Sequence, residues 1–226
     1  MKNVLILAAQ EEELSGFFGP VQEGEKKDDR RIVKGDLSVR GLITGIGKTA
    51  MGFCLGKALS EEKPDLVVNI GVAGSISPKL SLLDTLVATS VSYWDVDITA
   101  FGHPMGQMSG CPTYFLPDKE VASFLKQNKD PSIKGGLILS GDSFISKENI
   151  HPEWFDQFED PVSCDMESAS VAQCCFLAGI PFVIIRSISD DTRKDSNFSV
   201  YEKNLVPMAK KAGDIAEKFL KMKFKE

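Results

Sequence analysis

Short apolar runs alternate along this chain with longer segments in which apolar residues recur every three or four positions. A continuous apolar run bounded by turn residues predicts a strand that is covered on both faces of its sheet. The predicted strands are residues 4–9, 31–35, 37–44, 66–70, 85–93, 136–139 and 181–189. Residues 31–35 and 37–44 meet at Gly35 and Asp36, which predicts a hairpin between these two strands.

Helical spacing is clearest in three segments. It predicts helices over residues 48–59, 167–177 and about 200–222, of which the second ends before Gly179 and Pro181. Strands that alternate with helices of this length indicate an α/β fold with a mostly parallel or mixed sheet covered on both faces. With 226 residues, the chain is predicted to form one domain over residues 1–226.

In sheets of this kind, ligands bind in the loops at the carboxyl ends of the strands. Four such segments are rich in glycine or in acidic residues: AAQEEEL at 8–14, TGIGK at 44–48, NIGVAGS at 69–75 and SISDD at 187–191. We expect these four loops to collect the ligand site. The irregular segment 101–118, rich in Gly, Pro and Met, is long enough to predict a functional or mobile connection.

The run GIGKT at residues 45–49 raises the question of a phosphate-binding loop. That motif requires G-x-x-x-x-G-K-[ST], because its backbone N–H groups surround phosphate oxygens while the lysine reaches the terminal phosphates. Counting back from Gly47 and Lys48, the first glycine belongs at position 42, where the chain has Leu42. The motif is therefore a weak match, and a P-loop ATPase stands as the last alternative, which tight Mg-ATP binding would support.

Charge and hydropathy exclude several classes of protein. The net charge of −6 argues against a nucleic-acid surface, which needs a clustered excess of Lys and Arg. The most basic stretches, 26–31 and 218–225, are predicted to be solvated faces. No apolar run approaches the roughly 20 residues that span a bilayer. The run at 4–9 is too short for a secretory signal, which predicts a cytoplasmic protein without membrane or nucleic-acid partners.

The five cysteines predict neither a disulfide framework nor a metal site. They are odd in number and lack C-x-x-C spacing, and only His103 and His151 could join them as imidazole ligands. We therefore expect buried free thiols, no metal and no cofactor.

Acidic residues concentrate near the ends of predicted strands. They are Glu13, Asp165, Glu167, Asp190 and Asp191, with Arg186 on the strand that precedes the last two. Desolvation beside an apolar strand end favours the protonated form of a carboxyl, which is the form that can donate a proton. Each carboxylate alone is also typical of a helix cap or a solvated surface. Together they predict a charged cluster at the rim of an otherwise apolar sheet.

Eight segments, in this order and spacing, resemble those of the 5′-methylthioadenosine/S-adenosylhomocysteine nucleosidases of the nucleoside phosphorylase superfamily. They are AAQEEEL, TGIGK, NIGVAGSI, DVDITAFG with GQMSGCP, SGDSFI, CDMESASVAQ and VIIRSISD, within a resemblance that extends from Lys2 to about Phe219. The resemblance implies a three-layer α/β/α sandwich around a mixed, partly barrelled central sheet. It also implies a homodimer that hydrolyses an adenosine-type thionucleoside and releases adenine.

The resemblance also implies roles for individual residues. Asp190 matches the acid to adenine N7, Glu13 the residue that activates water, Glu167 the carboxylate that binds the ribose hydroxyls, and Arg186 the residue that orients Glu167 and the water. The implied substrate-binding residues are Ile46, Val72, Ala73, Gly74, Phe144, Ile145, Met166 and Ser189, with Phe101 from the partner subunit.

Charge distinguishes hydrolysis from phosphorolysis. Phosphorylases of the superfamily bind phosphate through a segment of glycine and arginine after the first strand, whereas this chain has three glutamates there, at residues 11–13. They also use a second phosphate-binding arginine, at the position where this chain has Asn69. Hydrolysis is therefore the favoured interpretation, and purine nucleoside phosphorolysis stays an alternative. An aminodeoxyfutalosine nucleosidase and an inactive binding protein with the same fold are further alternatives.

Three positions depart from the usual pattern of the nucleosidases. Val72 replaces a serine, Gln10 a methionine, and Ser109 a proline in the loop that reaches the partner subunit. The departures predict a differently shaped pocket for the 5′ substituent and a different way of holding the attacking water.

Overall fold

The computed structural model describes residues 1–195 and 197–225. Its strands are β1 (Lys2–Ala8), β2 (Asp29–Lys34), β3 (Leu37–Ile43), β4 (Leu66–Ser75), β5 (Thr85–Tyr93), β6 (Ile133–Ser140), β7 (Pro161–Asp165) and β8 (Phe182–Asp191). Its α-helices are α1 (Glu11–Phe18), α2 (Lys48–Glu61), α3 (Glu120–Gln127), α4 (Ser168–Ala178) and α5 (Asn197–Phe224). The predicted hairpin at Gly35 and Asp36 is confirmed, because β2 and β3 pair antiparallel across it.

The sheet closes on itself over part of its width. Strands β4, β7, β6, β5 and β8 pair in that order, and β8 pairs again with β4, so that five strands form a barrel. Strand β4 can belong to both parts because its first half pairs with β1 and its last two residues pair with β7. Strands β1, β3 and β2 continue the sheet beyond the barrel. The predicted mixed, partly barrelled sheet is confirmed.

Helices cover both faces of the sheet. Alternate side chains of β1 accordingly belong to two separate hydrophobic cores. Leu5 and Leu7 pack in a core with α2 and α4, whereas Val4 and Ile6 pack in a second core with α1, α3 and α5. Successive strand residues point to opposite faces, so a strand buried on both faces needs apolar residues at every position. This requirement explains the continuous apolar run at the start of the chain and produces the three predicted layers.

Two of the four predicted loops are strands instead. The segment NIGVAGS forms the second half of β4, and SISDD is the end of β8, so the glycines of the first do not mark a turn. A β-carbon at Gly71 would collide with the side chains of Arg186 and Glu13. The glycine therefore makes room inside the sheet for two charged side chains.

The segment AAQEEEL also differs from its prediction, because residues 11–14 begin α1. The helix is initiated by a capping box, in which the Gln10 side chain accepts from the Glu13 backbone N–H and the Glu13 carboxylate accepts from the Gln10 N–H. The sequence signal Q-x-x-E was present, but three successive glutamates resemble a solvated loop. Helix α3 and strand β7 were likewise not predicted.

The basic stretches are only partly solvated. Within 26–31, Arg30 is buried and donates hydrogen bonds to the carbonyls of Phe18 and Gly19 at the end of α1, so the prediction is wrong for this residue. Within 218–225, Phe219 and Leu220 belong to the core while Lys218 is exposed. Among the described residues, no helix has the length and apolarity to cross a membrane, and no three potential ligands cluster as a metal site would require.

Candidate active site

One cleft gathers most of the residues that the sequence singles out. It measures about 850 Å³ with its open mouth and lies between the ends of β1, β7 and β8, the second half of β4, and the first turns of α1 and α5. The predicted site residues that line it are Glu13, Ile46, Val72, Ala73, Gly74, Phe144, Ile145, Met166, Glu167, Ser189 and Asp190. Arg186 lies behind the wall, and Phe101 is an exposed surface residue outside the lining of this cleft.

Glu13 is held rigidly at the base of the cleft. Its Oε2 accepts hydrogen bonds from the backbone N–H groups of Ala9, at 2.9 Å, and Gln10, at 3.1 Å, and its Oε1 accepts from the Val72 N–H at 3.0 Å. Burial raises the pKa of the Glu13 carboxyl, although Arg186 and these three donors oppose the shift. Since position 72 holds Glu13 through its backbone, valine can supply this contact as well as serine.

Arg186 is buried behind the cleft and contacts two carboxylates unequally. Its Nη2 lies 2.7 Å from Asp165 Oδ2 and 3.7 Å from Glu167 Oε2, and its Nη1 has no hydrogen-bond partner. The predicted pairing with Glu167 is therefore the longer contact, and Asp165, to which the sequence analysis gave no role, makes the short ion pair. Asp165 is fixed in turn by the hydroxyls of Ser140 and Ser168, each at 2.5 Å.

Asn69 keeps the arginine away from the cleft. Its Oδ1 accepts from Arg186 Nη2 at 2.6 Å, and its Nδ2 donates to the Leu7 carbonyl at 3.0 Å. The amide is fully buried between β1 and β8, so its bonds fix the guanidinium inside the sheet. A guanidinium held in this way can balance the carboxylates electrostatically from behind the wall of the cleft.

Glu167 stands at the start of α4 and reaches the GIGKT turn. Its Oε1 accepts from the Gly47 N–H at 2.9 Å, while the neighbouring N–H of Lys48 donates to Asp142 Oδ1 at 2.8 Å. The first N–H groups of α2 therefore bind carboxylates of the chain itself. Burial, reinforced by the charges of Asp165 and Glu13, raises the pKa of Glu167 to about 8 despite the opposing effects of Arg186 and the Gly47 N–H.

Asp190 faces the cleft from the other side, near the end of β8. Its Oδ1 accepts from the Ser189 hydroxyl at 2.8 Å, and its Oδ2 accepts from Asn197 Nδ2 at 3.0 Å. Burial raises the pKa of the Asp190 carboxyl, and these two hydrogen bonds oppose the shift. The carboxyl can therefore hold a proton at a higher pH than an exposed aspartate can.

Three aromatic rings cover part of the mouth of the cleft. The Phe144 ring meets those of Tyr201 and Phe198 edge to face, with centroids 5.6 Å and 5.9 Å away. The Tyr201 hydroxyl accepts from Gln10 Nε2 at 2.7 Å, which joins α5 to α1 across the cleft. An apolar wall with polar groups at its edges is typical of a pocket for a small aromatic ligand.

The sequence of this chain is similar to those of known proteins of one family. A sequence profile of the Phosphorylase superfamily matches residues 3–221. A 5′-methylthioadenosine/S-adenosylhomocysteine nucleosidase of Haemophilus influenzae (strain PittEE) is 36% identical over 173 residues, or 75% of each chain. The nucleosidase of the same name from Maridesulfovibrio salexigens is 32% identical over 209 residues, covering 88% of this chain and 90% of its own. The chain belongs to this nucleosidase family.

Solved structures of the family have the same fold. The S-adenosylhomocysteine nucleosidase of Streptococcus pyogenes in complex with 5-methylthiotubericidin superposes with a TM-score of 0.87 at 28% identity, covering 97% of this chain and 96% of its own. The nucleosidase of Colwellia psychrerythraea in complex with adenine superposes with a TM-score of 0.83 at 28% identity, covering 97% of this chain and 94% of its own. The predicted family, fold class and nucleosidase class of enzyme are confirmed.

Within this nucleosidase fold, several residues that line or support the cleft were given no role by sequence reasoning. Asn197 and Tyr201 come from the first turns of α5. Asn197 precedes the predicted start of this helix at about residue 200, and Tyr201 lies within the predicted helix but was assigned no contact. Asn69 was considered only as a missing phosphate ligand, and Gln10 only as a departure from the family pattern. Their contacts with the rest of the site mostly join segments far apart in the sequence, as Gln10 with Tyr201 and Asn69 with Arg186, so local patterns do not signal them.

Proposed function

We propose that this chain hydrolyses the N-glycosidic bond of 5′-methylthioadenosine and S-adenosylhomocysteine and releases adenine, with water as the nucleophile. One observation carries the choice of water: among the described residues, the lining of the cleft includes four carboxylates, Glu13, Asp165, Glu167 and Asp190, and no lysine or arginine. A phosphate dianion needs cationic or N–H donors that converge on it. Carboxylates repel such an anion and can accept a proton from water.

The proposed roles follow from the positions of the carboxyls. Asp190, whose burial favours the protonated form, donates a hydrogen bond or a proton to the departing base, because an adenine anion is a poor leaving group. Glu13, fixed by three backbone N–H groups, positions the water and accepts its proton. Glu167 accepts hydrogen bonds from the ribose hydroxyls, and its ionised form stabilises an oxocarbenium-like transition state.

The test is incubation of the protein with methylthioadenosine, S-adenosylhomocysteine and inosine, each with and without inorganic phosphate, while free base is measured. We expect adenine from the first two substrates at the same rate with and without phosphate, and no base from inosine. Omission of phosphate is the matched control for nucleophile identity. Base release that requires phosphate would contradict hydrolysis and favour a phosphorylase.

We further infer that the active form is a homodimer in which Phe101 of one chain closes the cleft of the other. Large apolar side chains are exposed on the layer of α2 and α4: Phe53 is 75% exposed and Leu177 is 68% exposed. Leu116, 72% exposed, follows Phe115, whose ring contacts Phe176 of α4. Apolar side chains grouped in this way are typical of a protein interface, and the family resemblance supports a second copy as the partner.

Sedimentation velocity tests the dimer. The wild-type protein is expected to sediment as a dimer. Phe53→Asp is expected to sediment as a monomer and to release adenine more slowly. Val33→Asp is the matched control, because Val33 is an exposed apolar residue of β2 outside this layer. A wild-type chain that sediments singly at micromolar concentration would contradict the dimer.

A further inference from the structure

The side chain of Asn197, the first residue of α5, connects Asp190 to the segment before β7. The amide is almost fully buried, and its Nδ2 donates to Asp190 Oδ2 at 3.0 Å and to the Ile145 carbonyl at 2.9 Å. Both hydrogens of one amide nitrogen are therefore used, one on the carboxyl and one on the backbone of a residue that lines the cleft. A single side chain fixes the distance between Asp190 and the Phe144–Ile145 wall.

The position of the two donors on Asp190 matters for its chemistry. Ser189 occupies one lone pair of Oδ1, and Asn197 occupies one lone pair of Oδ2. A carboxyl pinned at both oxygens cannot rotate freely about its χ2 bond, so it presents a fixed direction to a ligand in the cleft. Orientation of this kind lowers the entropic part of a barrier.

We propose that Asn197 is a positioning residue for Asp190, which orients the carboxyl toward the base in the cleft and stabilises its ionised form. The inference rests on the proposed function, because it assigns Asp190 as the acid to the leaving base. Asn197 itself needs no contact with the substrate. The proposal predicts that removal of the amide changes the pH at which Asp190 stops acting as an acid.

The charged and titratable surroundings of Asp190 come from three sides. Asp191 follows it on β8 and is paired with Arg193, Cys164 faces it from β7, and α5 contributes the neutral amide of Asn197. Burial and the charge of Asp191 raise the pKa of Asp190, while the bonds from Asn197 and Ser189 lower it. Without the Asn197 bond, the pKa of Asp190 rises further, so the protonated acid persists to higher pH.

The test compares the pH profile of kcat/KM for methylthioadenosine in wild type, Asn197→Ser and Asn204→Ala. Serine can still initiate a helix but is too short to bridge Asp190 and Ile145. Asn204 is the matched control, since its Nδ2 also ties α5 to β8, at 2.8 Å from the Ser189 carbonyl, without touching the Asp190 carboxyl. Measurement across about pH 5–10 covers the acidic and the basic limb of the pH profile, and the profile of kcat/KM reports the pKa values of groups in the free enzyme.

We expect N197S to move the basic limb upward by about one pH unit and to lower kcat/KM at the optimum by about tenfold. N204A should leave the basic limb in place. If N197S does not fold, N197A, which also lacks the amide donor, is expected to give the same upward shift. A basic limb that stays fixed in these Asp190-contact variants, or that moves equally in N204A, overturns the proposal. Absence of adenine release by the wild type would instead overturn the proposed function itself, and with it this role.

Discussion

Replacement of Asp190 by asparagine is expected to slow adenine release by roughly 10²- to 10⁴-fold, the usual contribution of a positioned general acid. The substitution removes the acidic proton of the carboxyl group and keeps the size and shape of the side chain. An asparagine carbonyl can still accept from Asn197 Nδ2, and its amide can still contact the Ser189 hydroxyl, so the two bonds of the wild-type carboxyl are approximated. We therefore expect the fold and the affinity for methylthioadenosine to change little while kcat falls.

The neighbouring residue provides the matched control for this variant. Asp191 is also a buried carboxylate of β8, but it pairs with Arg193 at 2.7 Å and does not line the cleft. Asp191→Asn should keep kcat within a few-fold of wild type. Single-turnover adenine release and equilibrium binding of methylthioadenosine, measured for both variants, separate chemistry from binding. Wild-type rates in D190N would remove Asp190 from the mechanism.

Replacement of Arg186 by leucine is expected to lower the free energy of unfolding by about 3–5 kcal/mol at neutral pH. The side chain is 1% exposed and is the one cation in contact with Asp165 and Glu167 within the described part of the site. Its loss leaves buried carboxylates without a counter-charge, and the Asn69 carbonyl oxygen without this donor. For a chain of this size, the melting temperature should fall by about 10 °C.

The deficit of this variant should depend on pH in a defined direction. Without Arg186, the pKa values of Glu13 and Glu167 rise further, because Arg186 opposes the effect of burial on both. Wild type already holds Glu167 protonated up to about pH 8, so the deficit relative to wild type grows as pH rises through the wild-type pKa values of Glu13 and Glu167. Acidification toward pH 5 should accordingly recover part of the lost stability.

Thermal unfolding at about pH 5, 7 and 9 measures both effects, because the highest of these lies above the wild-type pKa of Glu167. Arg31→Leu is the control, since Arg31 forms an exposed pair with Glu62 at 3.4 Å and surface pairs contribute about 0–1 kcal/mol. Equal destabilisation by the two leucine variants would show that burial of Arg186 has no special energetic role. A deficit that grows on acidification would contradict the proposed charge balance.

The fold was predictable wherever burial leaves a local pattern. The apolar run at the start of the chain indicated β1, and the turn at Gly35 and Asp36 indicated the β2–β3 hairpin, because both signals act within a few residues. The second half of β4 was hidden, since Gly71 and Gly74 resemble a loop. Those glycines are required by side chains from elsewhere: Arg186 and Glu13 pack on Gly71, and Asp190 and Thr192 pack on Gly74.

The identity of the site residues was more predictable than the hydrogen bonds and ion pairs that hold them in place. Resemblance and the acidic strand ends singled out Glu13, Glu167 and Asp190, which the fold brings to one cleft. The support beneath them was not predictable, because Asn69 reaches Arg186 across 117 residues of chain and Asn197 reaches the Ile145 carbonyl across 52. An asparagine carries no periodic signal, and its role depends on which carboxyl or guanidinium the fold places beside it.

The GIGKT turn also has a consequence for competition among anions. Its Gly47 N–H is already bonded to Glu167, and the next N–H, of Lys48, is bonded to Asp142. These carboxylates are attached to the same chain, so their effective concentration at the turn is of millimolar order or higher and cannot be diluted. A free nucleotide or phosphate must displace these tethered carboxyl groups to reach the two N–H groups. The first N–H groups of α2 are thus occupied by groups of the same chain as soon as it folds, and a competing ligand gains only the difference between the two interactions.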